Sequence, residues 1–72
     1  MNYIVIELQT NGNTTSNIVT AHTSRDAAEQ KFHTVLAAAA VSSVEDHAAV
    51  MIAQNGTVVR TEHYTHAPAA EE

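Results

Sequence analysis

Five histidines, His22, His33, His47, His63 and His66, stand among 72 residues that also carry eight acidic side chains. Imidazole and carboxylate are the groups of acid–base catalysis and of metal ligation, so their spacing is the first question. A metal site needs three or four such ligands to converge. Glu29 and His33 are four apart and share a helical face, but two ligands make no strong site. His63 and His66 are three apart, which in an extended strand sends them to opposite faces. Catalysis needs a positioned pair with an orienting partner. Spacing brings together neither His33 with Ser42 or Ser43, nor His47 with Glu45 or Asp46. The expectation is therefore no catalytic residue, no metal and no cofactor. A hydrolase built on His33 and His47 would need those two rings to meet in one cleft.

Positive charge is scarce. Arg25, Lys31 and Arg60 are the whole basic complement, and the net charge is −5. Such a balance has no electrostatic footprint for a phosphate backbone or an anionic membrane. One small anion needs fewer cations. A pocket at a subunit junction is the place for it, with Arg60, Arg25 or Lys31 neutralising phosphate and Tyr3 or Tyr64 stacking on a base. The plainer reading of Arg60 is an ion pair on an exposed strand beside Glu62 and Tyr64.

These side chains need elements to hold them. Residues 24–41, SRDAAEQKFHTVLAAAAV, form the one run long enough for a full helix. Ser24 fits an N-cap, Asp26 and Glu29 suit the positive end of the helix dipole, and Ser42-Ser43 ends the element. Ala28, Phe32, Val35, Leu36 and Ala39 fall on one apolar stripe. Residues 2–9 and 17–23 read as strands joined through the turn-rich TNGNTTS. Residues 47–54 and 57–65 read as a second pair, with Asn55-Gly56 as a two-residue hairpin signal. The order is β-β-α-β-β. The fold class is α+β, a four-stranded antiparallel sheet with the helix packed on one face, forming a single domain over residues 1–66. Residues 67–72 are expected to be a flexible acidic tail.

Alternation places Ile4, Ile6 and Leu8 on one face of the first strand, the better core face, and Tyr3, Val5 and Glu7 on the other. Neither face is plainly polar, and the same holds for Ala48, Val50 and Ile52 against Ala49, Met51 and Ala53. One helix covers one face, so the second apolar set asks for a partner. A lone core of this size supplies only about 3–5 kcal/mol, and with no cysteine there is no disulfide to add to it. A homo-oligomer is expected, with Tyr3, Val5, Met51 and the alanine-turn residues Ala37 and Ala40 at its interface. The opening MNYIVIEL is too short for a signal peptide or a membrane span, which points to a soluble, cytoplasmic protein.

The segment KFHTVLAAAAVSSVEDHAAVMIAQNG, the opening MNYIVIELQTNG and the closing strand with Tyr64 and His66 resemble a group of small, uncharacterised proteins of phages and prophages in gut Clostridia and related Firmicutes. The likeness spans nearly the whole chain. Its centre is the run from Phe32 to Ser42, an aromatic residue, His-Thr-Val-Leu, four alanines and Val-Ser. Where relatives often carry Val-Pro-Val-His, this chain has Val44-Glu45-Asp46-His47, so a rigid proline turn is missing. The resemblance implies a viral origin and action in the host bacterial cytoplasm, and it carries over no catalytic residue. Two functions follow as expectations. One is a homo-oligomeric accessory protein acting by protein interaction; the other is a module that binds or sequesters a small nucleotide signal.

Overall fold

Ser24 opens the helix as its residue type requires. Its backbone is extended and its hydroxyl accepts a hydrogen bond from the Ala27 N–H at 3.2 Å. The helix, α1 (Arg25–Ala40), ends at Val41, where the Val41 and Ser42 N–H groups donate to the carbonyls of Ala38 and Ala39. In the computed structural model, which describes residues 1–66, the strands are β1 (Tyr3–Asn11), β2 (Thr14–His22), β3 (Asp46–Ala53) and β4 (Val58–Thr65). The expected tail at 67–72 lies outside the described residues. The four strands form one antiparallel sheet in the order β2-β1-β3-β4, with α1 across one face. The fold is α+β.

Both hairpins differ in detail from their sequence signals. The first turn is shorter, because Thr10, Thr14, Thr15 and Ser16 extend the strands instead of joining the loop. Threonine favours a pleated surface, and the Thr10 and Thr15 hydroxyls lie 2.9 Å apart across the pair. Only Gly12 and Asn13 remain between the strands, and Gly12 takes φ 60°, the position where a II′ turn calls for glycine. The second turn is longer. Ala53 N–H donates to Thr57 O and Gly56 N–H to Ala53 O, leaving Gln54, Asn55 and Gly56 as a three-residue loop with Gly56 at φ 91°. Beyond it, Val59 is the extra residue of a bulge: Met51 faces Arg60 while Ile52 faces Val58. Val59 packs against the core.

The core lies between α1 and the central strands, and it reverses the expected assignment of faces. Ala28, Phe32 and Val35 of the helix pack on Val5, Ala49 and Met51, with Tyr3 and Leu36 at the margin. Phe32 and Met51 are 0% exposed and Val5 1%. Strand β3 alternates strictly, with His47, Ala49, Met51 and Ala53 buried and the residues between them not. The register pairs Val5 with Met51 and Ile6 with Val50, so Ile4, Ile6 and Leu8 share the face away from the helix with Ala48, Val50 and Ile52. The expectation that the Ile4, Ile6 and Leu8 face holds the core is thus corrected. Val5 and Met51, expected at an oligomer interface, are core residues, and Tyr3 lies at the core's edge. Connection gives the reason. β2 and β3 both run antiparallel to β1 and so parallel to each other, which makes α1 a crossover between them, and the hand of such a crossover, right-handed in nearly all proteins, decides which face the helix covers.

The connection after α1 is held by polar bonds in place of a proline turn. Ser42 Oγ accepts from Val44 N–H at 2.9 Å. Glu45 clasps the tip of the β1–β2 hairpin, its N–H donating to Asn11 Oδ1 at 3.1 Å and its carboxylate accepting from Gly12 N–H at 2.9 Å. The first of these bonds uses an N–H that a proline lacks.

Candidate functional site

The residues expected around an anion separate into different surroundings. Arg25 and Arg60 do meet, but at Glu29: its carboxylate lies 3.4 Å from Arg25 Nε and 3.1 Å from Arg60 Nε. His33 Nε2 stands 3.5 Å from Glu29 Oε1, the oxygen that Arg60 also approaches, so the helical spacing of Glu29 and His33 is realised as a contact. Partial burial pushes the Glu29 carboxyl up, but hydrogen bonds from Arg60 and Arg25 and their charge outweigh it and hold it below the ordinary value. Arg60 therefore ties β4 to α1 through Glu29, while Arg25 meets the same carboxylate from within the helix. Tyr64 stacks on His66, with ring centroids 6.5 Å apart, and His66 Nε2–H donates to the Ala39 carbonyl at the helix end. Tyr3, half-buried at the start of β1, pairs across the sheet with Ala53 and His22.

The histidines do not form one set. His33 sits on the exposed side of α1 with its ring edge-on to Phe32, while His47 is buried beneath the helix at 4% exposure. They do not share the hydrogen-bonded cleft that a hydrolase on those two rings would need. His22 bonds Thr20 at 2.9 Å. Among the described residues there is no group of three His, Asp or Glu side chains placed to hold a metal ion.

Spacing gave no sign of one buried pair. His47 Nε2–H donates to Glu7 Oε2 at 2.6 Å, and Gln9 Nε2 donates to the same oxygen at 3.0 Å. The partners are 40 residues apart in sequence and adjacent only through the β1–β3 register. Burial alone drives the Glu7 carboxyl up. The hydrogen bonds from His47 and Gln9, with the positive charge of His47 and of Lys31 on the helix, outweigh it and hold the group below its ordinary 4.5. The other ring nitrogen, His47 Nδ1, is buried and makes no hydrogen bond. The pair ties β1 to β3 beneath α1.

The broadest chemically uniform surface is the sheet face away from the helix. Register places Ile4, Ile6 and Leu8 at its centre beside Ala48, Val50 and Ile52. Ala21 and Val19 of β2 and Val58 of β4 extend it on either side. Val19 is 55% exposed and Val58 57%. Polar residues, Thr10, Thr15, Asn17, Thr61 and Thr65, lie toward the margins. Asp46 and His63 are its only ionisable side chains among the described residues. No helix of the described residues is long and apolar enough to cross a membrane. Compared with known proteins, the chain matches no family model, no curated protein and no solved structure.

Proposed function

We propose that this protein acts by protein interaction, without catalysis, as a small homo-oligomer whose uncovered sheet face docks on the same face of a second copy. The observation that carries this reading is the continuous apolar surface of Ile4, Ile6, Leu8, Val19, Val50, Ile52 and Val58, which α1 leaves open. Single exposed hydrophobics need no explanation, but a sheet-wide patch does.

Two further features favour a second copy as the occupant. A chain of net charge −5 would repel itself over most of its surface, yet on this face Asp46 is the one acidic group among the described residues. Area also fits. Strands of eight residues run about 27 Å and four of them span about 19 Å, so each copy offers on the order of 500 Å². Two copies together bury about 1,000 Å², the lower bound for a specific interface. Sheets packed in this way sit about 10 Å apart, with aligned strands. The alanine turn, with Ala37 and Ala40 exposed on α1, is the competing surface for self-contact.

The setting is that of a phage or prophage accessory product in the host bacterial cytoplasm, a proposal supported by the sequence resemblance alone. Nucleotide sequestration draws less support, because Arg25 and Arg60 are both held by Glu29. Sedimentation velocity at micromolar concentration tests self-association. The expected result is a dimer that Ile6→Lys converts to a folded monomer; a wild-type monomer rules the reading out.

A further inference from the structure

Among the described residues, the open sheet face has one basic group, His63. His63 of β4 pairs with Ala48 of β3 and so projects from the open face, with Thr61 and Thr65 on either side of it on the same strand. Asp46 of β3 is its diagonal neighbour, opposite Thr65, whose hydroxyl donates to Asp46 Oδ1 at 2.8 Å. The open-face positions of β1 are Ile4, Ile6, Leu8 and Thr10, and those of β2 are Thr15, Asn17, Val19 and Ala21. None of them titrates. Among the described residues, Asp46 and His63 are therefore the whole ionisable content of the surface.

We propose that protonation of His63 opposes closure of the two sheets, so that the pair assembles near neutral pH and loosens in mild acid. The inference rests on the self-association reading above. A neutral imidazole enters a dry interface at the cost of a few polar contacts, whereas an imidazolium must leave its hydration shell. Twofold symmetry doubles the effect, since each closed pair contains two copies of His63. Asp46 attracts the charged ring, but one of its carboxylate oxygens already accepts a bond from the Thr65 hydroxyl.

The test is sedimentation equilibrium of the full chain at about pH 8 and about pH 5.5, a range that spans ordinary imidazole titration. Circular dichroism at each pH checks that the chain stays folded. The wild type is expected to lose about tenfold or more in dimer affinity on acidification. His63→Gln should associate equally at both values, and His63→Lys should associate weakly at both. A wild-type affinity that does not change, that rises in acid, or that falls just as far in His63→Gln overturns the inference and leaves self-association standing. A monomer at both pH values overturns both.

Discussion

The two faces of the sheet both carry apolar residues, but α1 covers only one of them. Beneath α1, the residues are small or singly bulky, Ala49, Ala53, Val5 and Met51, and they interlock with Phe32. On the other side, Ile4, Ile6, Leu8, Val50 and Ile52 are larger and β-branched or leucine, yet they are only half-buried, on the face away from the helix. Total hydrophobicity therefore does not decide which face becomes the core; the side on which the β2–α1–β3 connection lays the helix does.

Substitutions can break that contrast, beginning with the covered face. Phe32→Ala removes the largest fully buried side chain and should cost about 3–5 kcal/mol. This is comparable to what a single core of this size supplies, so thermal or urea unfolding should find the variant largely unfolded at room temperature. An equivalent truncation on the open face, Ile6→Ala, should leave the monomer folded and show its loss in association.

The buried polar pair comes next. Glu7→Leu leaves His47 without its partner and should destabilise by about 3 kcal/mol in denaturant titrations. The double variant Glu7→Leu with His47→Leu should recover much of that, because no unpaired polar group remains. If the double variant is as unstable as the sum of its parts, the pair is not a coupled unit.

Acid sharpens the same point. The folded-state pKa of Glu7 is depressed, so the stability it contributes is fully present above its ordinary 4.5 and is lost as pH falls through the lower folded value. Wild-type stability should fall on the acid side of 4.5, and Glu7→Gln should flatten that part of the curve. An unchanged acid limb in Glu7→Gln would place the acid sensitivity elsewhere.

At the helix exit, Glu45→Pro removes the N–H that donates to Asn11 and the carboxylate that accepts from Gly12. A loss of about 1–2 kcal/mol is expected. Stabilisation instead would mean that a rigid turn outweighs the clasp.

Much of this architecture is legible in local sequence. Ser24 as N-cap, the Ala28–Phe32–Val35–Ala39 stripe, the glycines at both turns and the β-β-α-β-β order all rest on interactions within a few residues. What could not be read depends on partners far along the chain. Alternation identifies two apolar sets in β1 but not which one meets Phe32, and that choice depends on how β2, α1 and β3 connect across the sheet. The Glu7–His47 bond is hidden for the same reason, since only the β1–β3 register brings the two together. The Val59 bulge shifts the β4 register, and no turn residue announces it. Arg25 and Arg60 are an instructive case: sequence offers them as cations for an anion at a subunit junction, and within one chain both meet Glu29 instead.

The contrast between the faces can be measured in one dilution series. Methyl resonances recorded from high to low micromolar concentration should shift for Ile4, Ile6, Leu8, Val50 and Ile52 and stay fixed for Val5, Val35 and Met51. Methyls that never move with concentration, or movement confined to Ala37 and Ala40, would contradict an assembly through the open sheet.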